Sequence, residues 1–411
     1  MWTGNLSQRL FAPQPPPEPI QKLNAWLHQE PMNTVAPTLY WGLLWMLLAP
    51  LVGLGMLWMA LLQLIWWGVR KYAFPAKSVL EKANEVQNTK IELAVVITGC
   101  DTGFGKDLAL RLAEKGFAVF AGCLQESSMN AFRGKNALTP LLLDVTKDDH
   151  VLAAAKLVDA WSSSKDLPSS SKRYLHAIVN NAGIGKIGYL DWISLKEYEQ
   201  CMEVNCYGQI RMCKAFLSMF KRQAIANAKS KNSFYAPQVL NMISMAGTSR
   251  GGMALTPYEV SKTAALAFSD GLRLELKPWG IRVVNINPSF HTTPLTINMF
   301  DKLQKDLWNP LSDELKEEYG PEFFDGYAKH VDTMMSQQWD PDVTIDAMVR
   351  SLLSCNPPAR INVGMDSRFG LLLYSMYPTW MRNFSTQLLM PNQTPAVLRE
   401  ARSNASSKKD D

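Results

Sequence analysis

The sequence has 411 residues, of which 47% are hydrophobic, so it is long enough for one large or two ordinary domains and too apolar for general disorder. Its net charge of +5, spread among many acidic residues, gives no reason to expect a nucleic-acid partner. Six cysteines without C-x-x-C spacing and five scattered histidines predict neither a disulfide framework nor a metal site.

The N-terminal part divides into a proline-rich tail and an apolar segment. Residues 1–35 contain APQPPPEP and are predicted to form a flexible tail. No charged residue occurs from Pro31 to Val69, and about 30 apolar positions would span about 45 Å as a helix, against roughly 30 Å of hydrocarbon. We therefore predict a transmembrane anchor over residues 36–70, with the lipid bilayer as its partner. One tilted helix is favoured over a hairpin, because each half alone is short for spanning.

Basic residues predict the orientation of this anchor. Arg70, Lys71 and Lys77 follow the apolar run closely, so the C-terminal side should be cytosolic. The chain ends in KKDD, which resembles the dilysine retrieval signal of endoplasmic reticulum membrane proteins, although a solvated charged tail is the alternative. We predict the endoplasmic reticulum membrane as the location, with the mitochondrial inner membrane as the alternative.

A glycine turn follows the charged linker at residues 71–90. IELAVVITG, from Ile91, has the composition of a strand buried on both faces, and DLALRLAEKG has helical periodicity. Between them, Gly99, Gly103 and Gly105 form T-G-x-x-x-G-x-G. A helix N-terminus reached through such a turn favours a phosphate, so the pattern predicts a nucleotide site. P-loop spacing is not met, and an ordinary glycine turn is the alternative.

Downstream, short apolar runs alternate with longer helical patterns, which indicates a parallel sheet with crossover helices. Further strands are predicted at residues 117–124, 138–145, 176–183, 237–244, 281–288 and 359–364. With the first strand, these suit one α/β domain with a doubly wound, Rossmann-like parallel sheet over residues 91–368. An apolar segment and a charged tail follow at residues 369–411.

Four polar residues are candidates for catalysis. Tyr258 and Lys262 are four apart on one face of a predicted helix. An adjacent ammonium stabilises a phenolate, which makes proton exchange with an alcohol or carbonyl oxygen practicable. Ser244 ends a predicted strand, and Asn205 lies on the helix after the NNAG strand. Strand ends on one edge of a doubly wound sheet converge where a nucleotide binds.

Residues 91–368 resemble the short-chain dehydrogenase/reductase family. The resemblance lies in T-G-x-x-x-G-x-G at residues 98–105, NNAG at 180–183 and Y-x-x-x-K at 258–262. TGCDTGFG, VFAGCL, VNCYGQIRMCKAF and AFSDGLRLEL are most similar to the branch of retinol dehydrogenases, membrane hydroxysteroid dehydrogenases and mitochondrial 3-hydroxybutyrate dehydrogenase. The resemblance implies hydride transfer between a nicotinamide dinucleotide, held by the glycine turn, and an alcohol or carbonyl.

It also implies catalytic roles. Tyr258 would be the general acid/base, and Lys262 would lower its pKa while holding the nicotinamide ribose. Ser244 would orient the substrate oxygen, and Asn205 would anchor a water relay to solvent.

The implied cofactor site includes Asp144, which would contact the adenine, and Thr293, which would bind the carboxamide. A helix cap and a loop hydroxyl are the respective alternatives. The full implied set is Gly99, Gly103, Phe104, Gly105, Asp144, Asn181, Gly183, Tyr258, Lys262 and Thr293.

NAD(H) is predicted over NADP(H), which remains the alternative. A 2′-phosphate needs a cation, and neither Thr102 in the glycine turn nor Cys123 at the end of the second strand supplies one. The usual acidic ribose ligand is also missing at the strand end, and Glu126 is the candidate to replace it.

Three departures from the family pattern concern pocket shape rather than reactive groups. Ser289 and Ile243 replace residue types usual in the family, and the interval from Ser244 to Tyr258 is one residue longer than the commonest spacing.

The substrate is predicted to be small and lipophilic, because of the anchor, the branch resemblance and the apolar segment Pro294 to Met335, which lies where the family places a substrate lid. An ordinary helical insertion is the alternative. Residues 369–381 are predicted to line the entrance or enter the membrane interface, or else to form a packing surface in the chain or in a homo-oligomer. A 3-hydroxy acid dehydrogenase and a cofactor-binding membrane scaffold without turnover are the alternative functions, and an NTPase is a more distant one.

Overall fold

The computed structural model describes residues within one compact unit, Lys77–Asp411. The predicted tail, anchor and dilysine signal lie outside the described residues, as does most of the 369–381 segment. Across the described part of the chain, no helix combines the length and apolarity that a membrane crossing needs. The described residues are 78–84, 90–164, 168, 171–228, 236–248, 255–294, 296–336, 338–364, 367, 378–382 and 394–407.

Seven parallel strands form one sheet, which confirms the predicted α/β architecture. They are β1 Lys90–Ile97, β2 Ala118–Cys123, β3 Leu138–Leu142, β4 Ser171–Asn180, β5 Gln238–Met242, β6 Arg282–Pro288 and β7 Arg360–Val363. Their order in the sheet is β3-β2-β1-β4-β5-β6-β7. The direction in which strands are added reverses between β1 and β4, and in such sheets ligands bind beyond the carboxyl ends of the strands at this point.

Helices connect the strands. They are α1 Val79–Asn84, α2 Gly103–Glu114, α3 Glu126–Met129, α4 Asp148–Ser162, α5 Leu195–Met202, α6 Gly208–Ala228, α7 Thr256–Leu276, α8 Met299–Leu303, α9 Asp313–Tyr319, α10 Pro321–Ser336, α11 Pro341–Leu353 and α12 Ala396–Ser407. The predicted lid segment contains α8, α9 and α10.

Both faces of the sheet are buried under helices. Val95 and Ile97 of β1 pack in one core cluster with residues of α2 and α11. Ala94 and Val96 pack on the opposite face with residues of α4, α6 and α7. Successive side chains of a strand point to opposite faces, so covering both faces explains the unbroken apolar run of β1.

A third apolar cluster joins the loop after β4 to the lid segment. We call eight of its ring-bearing residues the aromatic cluster, namely Tyr189, Trp192, Tyr198, Trp308, Tyr319, Phe323, Phe324 and Tyr327. Residues far apart in the sequence therefore share one core, so the lid packs against the loop after β4.

Candidate active site

The glycine turn connects β1 to α2 at the carboxyl edge of the sheet. Gly99 and Gly103 have φ values of +70° and +58°, in the left-handed region that glycine adopts without strain. A Cβ atom at Gly105 would lie 2.3 Å from the carbonyl oxygen of Gly99, so only glycine permits this close approach. Thr102, the residue before α2, makes no side-chain cap hydrogen bond within the described structure. The Thr102 side chain therefore leaves the first N–H groups of α2 uncapped.

Asn181 holds the glycine turn in position. Its Nδ2 atom donates to the carbonyl oxygens of Thr98 and Gly99, at 3.0 and 3.1 Å. The hydroxyl oxygen of Thr98 in turn accepts from the backbone N–H groups of Asn181 and Ala182, at 3.0 and 2.9 Å. The NNAG loop is therefore tied to the turn after β1, and both side-chain hydrogens of Asn181 serve that connection.

Asn205 lies in a π-helical turn, Glu203–Tyr207, between α5 and α6. Its Nδ2 atom donates to the carbonyl oxygen of Ile184 at 2.8 Å and to Oγ of Ser261 at 2.9 Å, and its Oδ1 atom accepts from N–H of Ile184 at 2.9 Å. Single π turns inside helices are frequent at functional sites. The predicted helical location of Asn205 is therefore more closely a π turn. Its side chain connects the loop after β4, through Ile184, to α7, through Ser261.

Lys262 lies one helical turn after Tyr258, with its ammonium buried. Its Nζ atom donates to the carbonyl oxygen of Met242 at 2.9 Å and lies 5.7 Å from the centre of the Tyr258 ring. A Cβ atom at Gly183 would lie 3.5 Å from this nitrogen and 3.2 Å from Oδ1 of Asn205. The ends of β4 and β5 and the start of α7 therefore meet at one point.

Ser244 follows β5 and contacts α7. Its Oγ atom accepts from N–H of Ala246 at 3.2 Å, and its side chain is hydrogen-bonded to Tyr258. Tyr258 is half-buried near the N-terminus of α7. The structure thus brings together all four predicted catalytic residues.

Burial controls the titration of the tyrosine and lysine. It raises the pKa of Tyr258, against the opposing effect of the Ser244 hydrogen bond, and it lowers the pKa of Lys262 to about 8. The direction for Tyr258 is opposite to the lowering that the resemblance implies. The reason is that removing the Tyr258 phenolate from water costs more than its hydrogen bond with Ser244 returns. The hydrogen bond of the Lys262 ammonium goes to Met242 and not to Tyr258.

The loop after β6 approaches the glycine turn. A Cβ atom at Gly103 would lie 3.8 Å from Cδ of Pro294, and the Phe104 ring packs edge-on against His291 with 5.7 Å between centres. The hydroxyl of Thr293 lies 3.3 Å from that of Thr296. Thr293 is thus placed beside the turn, with a hydrogen bond inside its own loop.

Two aspartates lie at this edge, next to the ends of β2 and β3. Oδ1 of Asp144 accepts from the backbone N–H and the hydroxyl of Thr146, at 2.9 and 2.8 Å, so this oxygen stabilises a local turn. The carboxylate of Asp101 accepts from the N–H groups of Leu124 and Gln125, at 2.9 and 3.0 Å. Sequence reasoning missed Asp101, although it lies inside the glycine motif, because its contact with the end of β2 is tertiary.

The donor set fits a dinucleotide. The left-handed glycines have no Cβ atom, so a ligand can approach the backbone, and α2 presents its N-terminus. The Asp101 carboxylate lies where β2 ends, which is the position that binds a ribose in doubly wound folds. The polar group of four residues lies at the same edge, beyond β4 and β5.

The fold and this site define an α/β oxidoreductase. The family model for short chain dehydrogenase matches residues 93–304, and the chain belongs to that family. It is accordingly an NAD(P)-dependent dehydrogenase or reductase that acts on CH–OH groups.

Several named dehydrogenases are similar to this chain. A 3beta-hydroxysteroid dehydrogenase of Caenorhabditis elegans is 33% identical over 321 residues, which cover 74% of this chain and 78% of the relative. Retinol dehydrogenase 7 of Rattus norvegicus is 32% identical, covering 70% of this chain and 85% of the relative. The 17-beta-hydroxysteroid dehydrogenase type 6 of Bos taurus is 31% identical, covering 74% and 90%.

Solved structures share the fold. A short-chain dehydrogenase/reductase from Burkholderia phymatum in complex with NAD has a TM-score of 0.53 at 18% identity, covering 74% of this chain and 97% of the other. A short chain dehydrogenase from Burkholderia cenocepacia in complex with NADP has a TM-score of 0.51 at 20% identity, covering 74% and 100%. At these identities the likeness concerns the fold alone.

Proposed function

We propose that this chain is a membrane-anchored dehydrogenase that interconverts a lipophilic alcohol and its carbonyl compound, such as a retinoid, a steroid or a related lipid, with NAD(H). The observation that carries the proposal is the convergence of Asn205, Ser244, Tyr258 and Lys262 beside the glycine turn. Asn205, Ser244 and the Tyr258–Lys262 pair are carried by three different segments, so the group exists only in the folded chain.

In the proposed oxidation, the Ser244 hydroxyl orients the substrate oxygen, and the Tyr258 oxygen takes the hydroxyl proton. The nicotinamide, when bound, supplies the acceptor for the hydride that leaves the carbinol carbon. The protonated Lys262 favours the phenolate form of Tyr258, which opposes the effect of burial. In the reduction, Tyr258 returns the proton to the carbonyl oxygen. Asn205 would position the loop after β4 and anchor the water relay that restores the proton balance.

The preference for NAD(H) over NADP(H) is supported by charge. The Asp101 carboxylate at the end of β2 would repel a 2′-phosphate, and its position there replaces the acidic ribose ligand that the strand end lacks. Glu126 is exposed on the short helix α3 and remains the alternative acidic group.

The lipophilic substrate is supported by the lid and by the relatives. The lid helices present an apolar cluster toward the loop that follows β4, and the named relatives act on retinol and on hydroxysteroids. A membrane anchor at residues 36–70 would bring the site to a surface where such substrates partition.

The test is turnover by the purified full-length protein with a panel of retinoid, steroid and 3-hydroxy acid alcohols and ketones, followed by NADH absorbance. We expect NAD⁺-dependent oxidation of at least one lipid alcohol. Turnover of 3-hydroxy acids alone would favour the hydroxy acid alternative. NADH binding without turnover of any compound would favour the scaffold alternative.

A further inference from the structure

The aromatic cluster contains buried hydrogen-bond donors that lack a partner. Nε1 of Trp192 and the hydroxyls of Tyr198 and Tyr327 have no hydrogen-bond acceptor among the described residues. Trp192 is 5% exposed and Tyr327 is 2% exposed. Buried donors are nearly always paired, because an unpaired one loses its hydration without compensation. These three donors are therefore free to pair with an acceptor that the described residues do not supply.

Two of the donors are carried by neighbouring rings on different segments. The Tyr327 ring centre lies 5.5 Å from that of Trp192, and both rings contact Tyr189, at 5.4 and 4.8 Å. Trp192 belongs to the loop after β4, whereas Tyr327 belongs to the lid helix α10. Burial raises the pKa of Tyr327, so its hydroxyl remains protonated. An indole N–H can only donate, so the missing partner must be an acceptor such as an oxygen atom.

A third hydroxyl of the same cluster is already satisfied. The Tyr319 hydroxyl donates to Oδ2 of Asp191 at 2.7 Å, at the exposed side of the cluster. The fold therefore pairs the outer hydroxyl with a carboxylate, while the inner donors are left among apolar rings.

The cluster lies within reach of the candidate active site. Asn205 holds Ile184 by two hydrogen bonds, and Ile187 packs against the cluster. Three residues of extended chain cover at most about 11 Å. A Cβ atom at Gly188 would lie 2.7 Å from Ile193 and 3.2 Å from Leu307, so the same loop presses against the lid.

We propose that Trp192 and Tyr327 bind a second oxygen atom of the substrate, at the end remote from the reacting carbon. The proposal rests on the proposed function and narrows its substrate class. The site would then prefer lipophilic alcohols that carry an oxygen at each end, such as a steroid oxygenated at both ends. Alcohols whose far end is hydrocarbon, such as retinol, would bind less tightly. A site built to hydrogen-bond an oxygen discriminates against the analogue without it, because its donors are then left unpaired.

The test compares two steroid ligands that share a hydroxyl at the reacting end. One carries an ether oxygen at the far end, and the other has hydrogen there. Dissociation constants are measured by calorimetry on the full-length protein saturated with NADH, so that neither alcohol is oxidised. We expect the oxygenated ligand to bind at least 10-fold more tightly. Trp192→Phe and Tyr327→Phe, which remove the donors and keep an aromatic ring at each position, should each weaken it about 5-fold and change the other ligand less than 2-fold.

Tyr319→Phe is the matched control, because it deletes a hydroxyl that already has a partner in the same cluster. It should weaken both ligands equally or neither. The melting temperature of the ligand-free protein should fall in Tyr319→Phe but not in Tyr327→Phe, because only Tyr319 loses a hydrogen bond within the protein.

Equal affinity of the wild-type protein for both ligands, absence of binding of either, or equal losses for both ligands in the two donor variants would overturn the proposal. A fall in the melting temperature of Tyr327→Phe as large as that of Tyr319→Phe would also overturn it, because the Tyr327 hydroxyl would then have a partner within the protein. Turnover with NAD⁺ is measured separately. Absence of the proposed dehydrogenase activity is thereby distinguished from absence of a preference for the ligand with an oxygen at its far end.

Discussion

The Nζ atom of Lys262 donates a hydrogen bond to the carbonyl oxygen of Met242 at 2.9 Å. This contact anchors the side chain beside Tyr258 and at the end of β5, and it leaves the ammonium with a neutral acceptor. A buried ammonium without a carboxylate partner loses hydration that one carbonyl does not replace. The pKa of Lys262 is accordingly lowered to about 8.

This lowered pKa predicts a pH-dependent stability. Between about pH 8 and the ordinary lysine pKa, the unfolded chain binds the proton that folded Lys262 has released, so this residue's contribution to the free energy of unfolding rises with pH. Below that window both states are protonated and the contribution is constant. We expect the stability difference between wild type and Lys262→Met to move in favour of wild type, by at most about 3 kcal/mol, from pH 7.5 to about pH 10. Urea unfolding without cofactor measures it, and a difference independent of pH would contradict the burial argument.

Tyr258→Phe is expected to lower kcat by at least about 10²-fold while NADH binding is retained. The ring remains and the glycine turn is untouched, so only the proton-transfer group is lost. Steady-state rates and fluorescence titration with NADH measure the two properties. Near-normal turnover would remove the proposed mechanism.

Asp101→Asn is expected to lower the ratio of kcat/KM for NAD⁺ to that for NADP⁺ by about 10-fold, because a repulsive charge beside the 2′ position is removed. Glu126→Gln is the control for charge alone, since that carboxylate is exposed on α3. A shift in the Glu126 variant with none in the Asp101 variant would assign the ribose contact to Glu126 instead.

Gly105→Ala is expected to abolish dinucleotide binding and to destabilise the fold, because the added Cβ would meet the carbonyl oxygen of Gly99 at 2.3 Å and Nδ2 of Asn181 at 2.5 Å. Gly271→Ala is the matched control. It lies inside α7 with nothing within 4 Å of the new Cβ, and alanine there should stabilise by about 0.5–1 kcal/mol. Thermal unfolding and NADH titration compare them, and a Gly105→Ala protein that binds NADH normally would contradict the packing of the turn.

Membrane orientation is tested in sealed microsomes that contain the full chain with an epitope tag upstream of Lys408. We expect added protease to remove the tag, because the basic residues after the predicted anchor would keep the C-terminal side in the cytosol. Asn5 is then the sequon that can be glycosylated. Protection of the tag, or glycans on Asn383, Asn392 or Asn404, would place the catalytic domain in the lumen.

The sequence determined the sheet and the set of residues that meet at the candidate site. The apolar run of β1 could be interpreted as a strand because both faces of a parallel sheet are covered. The spacing of Tyr258 and Lys262 was informative because a helix places residues four apart on one face. Such patterns involve residues close together in the chain, so they can be recognised in a single sequence.

Only the tertiary structure decided how these residues are used. The amide of Asn181 serves the glycine turn, and the carboxylate of Asp101 serves the end of β2, because segments distant in the sequence meet there. The direction of the Tyr258 pKa depends on burial, and the unpaired donors of Trp192 and Tyr327 depend on which groups surround them. Burial and long-range contacts are properties of the packed chain, and no local pattern of residues encodes them.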